Sequence, residues 1–200
     1  QIPGSHSFAA SLSFDPMKVA GAFGSGGAIV TNNDEIAKRI RQLRYHGRDD
    51  SRIYRELGYN SQMASIQAGI INFKLDHLNE WATRRQNIAR RYTSVLDELS
   101  QVTTPIEQPG ETHVFHKYVM TVRSDRNKLR QHLSDAGIGT MVHYGSPLHN
   151  EPMFSTHVKP DAEFPEAERF SKEALSLPIY PELHDSEVDQ ICRELKKFNW

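Results

Sequence analysis

Lys18 stands in Ser13-Phe14-Asp15-Pro16-Met17-Lys18, directly after the apolar run Phe8 to Phe14 and directly before the glycine-dense segment Gly21-Ala22-Phe23-Gly24-Ser25-Gly26-Gly27. A lysine amine is protonated and non-nucleophilic at neutral pH; burial or a neighbouring cation that lowers its pKa turns it into a Schiff-base former. The same position suits a solvated or phosphate-touching lysine, so residue type and place leave both readings open. The glycines fit neither GxGxxG nor the phosphate loop GxxxxGK[ST], since Lys18 precedes them, and a glycine-rich hairpin accounts for them equally well. Ten histidines raise metal binding. The spacings argue against it: His113 and His116 are three apart on a predicted strand and point to opposite faces, no HExxH occurs, and the single Cys192 cannot build a thiolate site.

The elements that must hold these residues follow from the pattern. Alternation at Phe8, Ala10, Leu12 and Phe14 predicts a strand that Pro16 stops, and Ala28 to Thr31 predicts a second. Asn32-Asn33-Asp34-Glu35 supplies the cap and early acids of a helix carrying Ile36, Ile40 and Leu43, with Arg39, Arg41 and Arg44 toward its C-terminal half. Residues 45 to 60 form a polar loop with turns at Gly47 and Gly58. Met63, Ile66, Ile70 and Phe73, then Trp81, Ile88, Tyr92, Val95 and Leu99, predict two helices bent near Asp76. Arg84, Arg85, Arg90 and Arg91 read as the solvated face of the second. Beyond Pro105 and Pro109-Gly110 a strand is expected over Val114 to Val122, a helix over Asn127 to Ala136 stopped by Gly137, and a strand at Thr140 to Tyr144. Ser186 with Asp189 resembles a capping box for a last helix with the stripe Val188, Ile191, Leu195 and Phe198, and Cys192 reads as a packing residue beside it.

Two hundred residues, 38% hydrophobic and 24% charged, describe a soluble globular chain. A net charge of −1 from 24 basic and 25 acidic residues gives no field to gather nucleic acid, and no run of 18 apolar residues is present to span a membrane. One cysteine fits a reducing compartment.

Across nearly the whole chain the ordered segments resemble the DegT/DnrJ/StrS aminotransferases, pyridoxal-phosphate enzymes that aminate keto-sugars. The carriers are SFDPMKVAGAFGSGGAIVT (Ser13 to Thr31), Arg44-Tyr45-His46-Gly47, Gly58-Tyr59-Asn60-Ser61, Gln67-Ala68, Val142-His143-Tyr144, Pro147-Leu148-His149 and Leu175-Ser176-Leu177-Pro178-Ile179-Tyr180-Pro181. The resemblance implies an α/β chain that is the C-terminal part of a fold-type I pyridoxal-phosphate-dependent transferase: residues 1–78 closing the large cofactor-binding domain, 79–200 forming a small C-terminal α/β domain. It implies that Lys18 forms the Schiff base with pyridoxal phosphate and then shuttles a proton, and that the Ser13 hydroxyl bonds the cofactor phosphate. By the same likeness Asn60 reaches the phosphate of a neighbouring subunit, which makes the active unit a homodimer, and Tyr144 and His149 stand on the substrate side of the cleft, with rim packing as their alternative.

The reaction so implied moves an amino group from glutamate or glutamine to a keto-sugar, nucleotide-linked, in cytoplasmic amino-sugar biosynthesis for polysaccharides or antibiotics. A keto-cyclitol acceptor and a dehydratase stay open within the family, although Lys18 opposes the dehydratase, whose relatives often carry histidine there. Gln62 stands where relatives usually have arginine, and an amide lacks the charge and fork that bind an anion. Asp15 and Met17 depart from positions commonly aromatic and Ser or Thr. Family members carry a comparable length of chain before this point, with an acidic partner for the ring nitrogen, a stacking aromatic and a further phosphate loop. The expectation is therefore a piece of a longer enzyme that is inactive alone, or else a non-catalytic binding or assembly module.

Overall fold

The alternating run before Lys18 forms strand β1 (Ala10–Ser13), and the residues after the glycines form strand β2 (Gly27–Val30). They pair antiparallel, with Ala10 opposite Val30 and Ser13 opposite Gly27. The computed structural model describes residues 7–154, 156–159 and 161–200. The chain divides into two compact units, Gln1–Asn79 and Glu80–Trp200.

In the first unit, helix α1 (Asp34–Leu43) starts where the acids require it, because Asn33 Oδ1 accepts the N–H groups of Glu35 at 2.9 Å and Ile36 at 3.1 Å. Its Arg39 does more than complement a dipole: the guanidinium forks onto both oxygens of Glu56 at 3.2 and 2.9 Å. The 45–60 loop folds back on itself through bridges from Tyr45 to Asn60 and from Arg48 to Tyr54. Gly47, at φ +73°, permits the crossing, since a Cβ there would lie 1.8 Å from the Glu56 carbonyl oxygen. Asp49 braces the tip, accepting the Ile53 N–H at 2.9 Å and Arg55 Nε at 2.7 Å. Helices α2 (Ser65–Asp76) and α3 (Leu78–Leu96) break at His77, next to the expected bend.

The second unit is built on an antiparallel sheet in the order β3 (Val102–Thr103), β4 (Tyr118–Val122), β5 (Ala174–Leu177). Met141 bridges Ser176 on the free edge of β5. Tyr118, Met120 and Val122 bury one face of β4, against Ile88, Tyr92 and Leu96 of α3, with Leu129 and Leu133 of α4 (Arg126–Asp135) and Val188, Ile191 and Leu195 of α6 (Asp185–Lys197) in the same core. Each such side chain taken fully out of water contributes about 1.5–3 kcal/mol. Helix α5 (Pro165–Glu173) begins with proline at its first turn and passes into β5 with no intervening residue.

Four expectations are corrected. Strand β4 starts at Tyr118, not at Val114, because Phe115 adopts φ +45° and turns its carbonyl toward Arg85; His113 and His116 therefore do not lie on a strand. Arg85 is not on a solvated face: it is 8% exposed, and its Nη1 donates to the carbonyls of Ile179 at 2.7 Å, Phe115 at 3.2 Å and His116 at 3.3 Å. Its neighbours are also engaged, Arg84 with Asp185 and the Leu183 carbonyl, and Arg91 with Asp185 and Asp189. The strand expected at Thr140 to Tyr144 shrinks to the Met141 bridge. Helix α6 is capped at His184, whose N–H donates to Glu187 Oε2 at 2.8 Å, which leaves Asp189 free for Arg91.

Candidate active site

The Lys18 turn is fixed by its own backbone. Asp15 Oδ1 accepts the Met17 N–H at 2.9 Å, and the Asp15 carbonyl accepts the Lys18 N–H at 2.8 Å. The Lys18 carbonyl takes the Gly21 N–H at 3.0 Å, and the Phe14 carbonyl takes the Ala22 N–H at 2.9 Å. Gly21 is buried against the turn so closely that a Cβ would sit 2.5 Å from the Asp15 oxygen and 2.6 Å from the Pro16 oxygen. From α2, Lys74 Nζ donates to the Gly21 carbonyl at 2.5 Å and lies 5.0 Å from the Phe23 ring centroid, while Gln67 Oε1 accepts the Phe23 N–H at 2.9 Å. Lys18 itself is exposed, and its amine has no hydrogen bond or ion pair among the described residues.

Ser13 closes β1 at the root of the same turn, exposed, with its Oγ accepting the Asp15 N–H at 3.3 Å. Its hydroxyl hydrogen remains available to donate. Asn60 is exposed at the mouth of the 45–60 loop and is held by its backbone: it bridges Tyr45, and the flanking Tyr59 and Ser61 N–H groups donate to the Leu43 and Arg44 carbonyls at 2.7 and 2.9 Å. Gln62 is exposed.

In the second unit Tyr144 is 68% exposed, with Lys117 Nζ 3.5 Å from its hydroxyl and 5.3 Å from its ring centroid. The preceding His143 places Nδ1 2.8 Å from Oγ of the buried Ser176, and burial, then the charge of Lys117, holds its pKa below the ordinary imidazole value. His149 is half-buried in a short 3₁₀ turn (Leu148–Asn150), stacked on Phe164 at 4.5 Å, with Nε2 3.5 Å from Glu168 Oε1. Ser13 and Lys18 thus share one turn, and Tyr144 and His149 share one short segment. Cys192 is half-buried with its thiol pKa raised by burial, which suits packing and disfavours a thiolate. Among the described residues no group of three or more metal-ligating side chains gathers, and none of the helices there is long and apolar enough to cross a membrane.

The donor set fits pyridoxal phosphate: a primary amine without a counter-ion, a hydroxyl free to donate to a phosphate oxygen, and an exposed amide. Sequence reasoning missed Gln67, Lys74, His143 and Ser176. Gln67, His143 and Ser176 stand in segments that carry the resemblance, and the seven-residue spacing of Gln67 and Lys74, two helical turns on one face, was a further signal.

A model of the DegT/DnrJ/EryC1/StrS aminotransferase family matches residues 2–196. A "pleiotropic regulatory protein" of Geobacillus stearothermophilus is 42% identical over 193 residues, covering 95% of this chain and 51% of that protein. The dTDP-3-amino-3,4,6-trideoxy-alpha-D-glucose transaminase of Streptomyces venezuelae is 39% identical over 196 residues, covering 98% and 51%. Among solved structures, NtdA from Bacillus subtilis with bound cofactor PMP superposes with a TM-score of 0.86 at 30% identity, over 96% of this chain and 46% of that one. The chain spans about half the length of the curated relatives it matches.

Proposed function

Because this chain belongs to the DegT/DnrJ/EryC1/StrS aminotransferase family, we propose that its residues serve a pyridoxal-phosphate-dependent transfer of an amino group from glutamate or glutamine to a nucleotide-linked keto-sugar, in cytoplasmic amino-sugar biosynthesis. The observation that carries the reading is Lys18, an exposed amine with no ion pair among the described residues, on a turn of fixed shape, inside a family match that runs over residues 2–196. The name of the Streptomyces relative supports the acceptor class. Pyridoxal phosphate, when bound, supplies an aldehyde carbon with which amines condense and a ring that accepts the electrons of the bond being cleaved.

Lys18 would hold the cofactor through Nζ, and its free amine would carry a proton at Nζ to and from the substrate carbon. Ser13 donates its hydroxyl hydrogen to a phosphate oxygen. Asn60 donates its amide to the phosphate of a second copy, which makes the active unit a homodimer. Tyr144 orients the substrate through its exposed hydroxyl, and His149, stacked on Phe164, lines the substrate side. Residues 1–78 and 79–200 act as the closing part of a large cofactor domain and as a small domain. A second reading is a non-catalytic binding or assembly module; the Geobacillus relative is named a regulatory protein, with no reaction in its name.

One experiment separates the two. In the gene product carrying these residues, pyridoxal phosphate followed by borohydride adds the reduced cofactor's mass to the peptide containing Lys18, and Lys18→Ala abolishes the label. Absence of label at Lys18, or equal labelling of other lysines, refutes the aminotransferase reading.

A further inference from the structure

We propose that Lys74, acting with Gln67 from helix α2, is a positioning residue for Lys18. The inference rests on reading Lys18 as the lysine that bears the cofactor. Lys74 is half-buried, and among the described residues its ammonium meets no carboxylate; it gives its charge-assisted bond to the Gly21 carbonyl at 2.5 Å and sets its remaining face toward the Phe23 ring. Gly21 in turn donates its N–H to the Lys18 carbonyl at 3.0 Å, and the Lys18 N–H is taken by Asp15. Both backbone groups of Lys18 are therefore committed, one to the turn and one to the residue that Lys74 grips.

Burial holds Gly21 and Ala22 but stops short of Phe23. Phe23 is 75% exposed, and its N–H is fixed by Gln67 Oε1 at 2.9 Å. Gln67 and Lys74 lie seven residues apart, so one face of α2 carries both tethers. Since the Lys18 side chain has no hydrogen bond or ion pair among the described residues, the place of its amine is inherited from the backbone of the turn. A reacting group displaced by about 1 Å loses on the order of 100-fold in rate, and α2 supplies the two polar tethers that resist such a shift.

The test uses the gene product carrying these residues, with Lys74→Met, Lys74→Arg and Gln67→Met. Two readouts are taken: the rate of borohydride-trapped pyridoxal phosphate at Lys18 across pH, by peptide mass, and hydrogen exchange of the Gly21 and Phe23 amides without cofactor. Lys74→Met slows trapping about tenfold and loses Gly21 protection, Lys74→Arg recovers most of both, and Gln67→Met gives a smaller loss centred on the Phe23 amide. Wild-type trapping by Lys74→Met, or no recovery in Lys74→Arg, overturns the inference while the function stands. If Lys74→Met does not fold, Gln67→Met decides, and a wild-type rate there overturns it. An unlabelled Lys18 in the wild type overturns the function and the inference together.

Discussion

Replacing Arg85 by methionine tests how the second unit holds the segment that leads into β4. The guanidinium makes one short bond, to the Ile179 carbonyl at 2.7 Å, and shares the same nitrogen between the Phe115 and His116 carbonyls at 3.2 and 3.3 Å. A charge-assisted bond of the first kind is worth about 1.5–3 kcal/mol, and the two longer ones together add about 0.5–1 kcal/mol. Opposing this is the desolvation of the guanidinium, which lowers its pKa from the ordinary value with only the charge of Glu182 to offset it. That cost disappears with the charge, and methionine refills most of the apolar stem. The net expectation is a loss of about 1–3 kcal/mol, equivalent to a midpoint roughly 2–12 °C lower for a chain of this size. Urea unfolding followed by circular dichroism measures it, and limited proteolysis reports whether residues 110–117 open first. A variant within about 0.5 kcal/mol of the parent, or more stable than it, would show that the three carbonyls do not depend on Arg85.

Two further outcomes follow from the same packing. Burial raises the pKa of both Tyr92 and Tyr118 above the usual phenol value, so each contributes stability that is complete below about pH 10 and is lost as pH rises toward the folded values. Tyr92→Phe and Tyr118→Phe should leave the tyrosinate absorbance at about pH 11 unchanged and flatten the alkaline loss of stability; a drop of one tyrosine's signal at that pH refutes the assignment. Gly47→Ala should cost more than about 2 kcal/mol, since the positive φ strains a side chain and the Cβ meets the Glu56 carbonyl at 1.8 Å. Thermal unfolding together with loss of exchange protection at the Tyr59 amide checks it, and a change below about 1 kcal/mol contradicts the close crossing.

What could be read from the sequence was what is local. The Asn33 cap, the break beside Asp76 and the Val188, Ile191, Leu195 stripe depend on residues a few positions apart, and each is where the pattern put it. The Lys18 turn belongs to the same class, closed within Phe14 to Ala22. Strand β5 was not legible because it is four residues long and follows α5 directly, so its one short alternation, Leu175-Ser176-Leu177, is no more than a helix end would show, and Ser176 is buried with the rest. The Val114 to Lys117 alternation misled for the opposite reason: its period is that of a strand, but a guanidinium 30 residues away claims the Phe115 carbonyl. Of the site, Lys18 and Ser13 were accessible from their turn, whereas the tether from Lys74 crosses 53 residues and the His143 bond to Ser176 crosses 33.

The direct passage from α5 into β5 has a mechanical consequence for the segment that carries Tyr144 and His149. His143, at one end, is fastened to Ser176 on β5; His149, at the other, stacks on the ring of Phe164, the residue that caps α5. Helix and strand are one unbroken length from Pro165 to Leu177, so both fastenings are posts on a single beam. The span between the posts changes when the chain bends at the junction of Glu173 and Ala174, and β5, buried along all four residues, is held on both faces. Tyr144 therefore sits one residue from the post on β5, in a span whose two ends are set by α5 and β5 together.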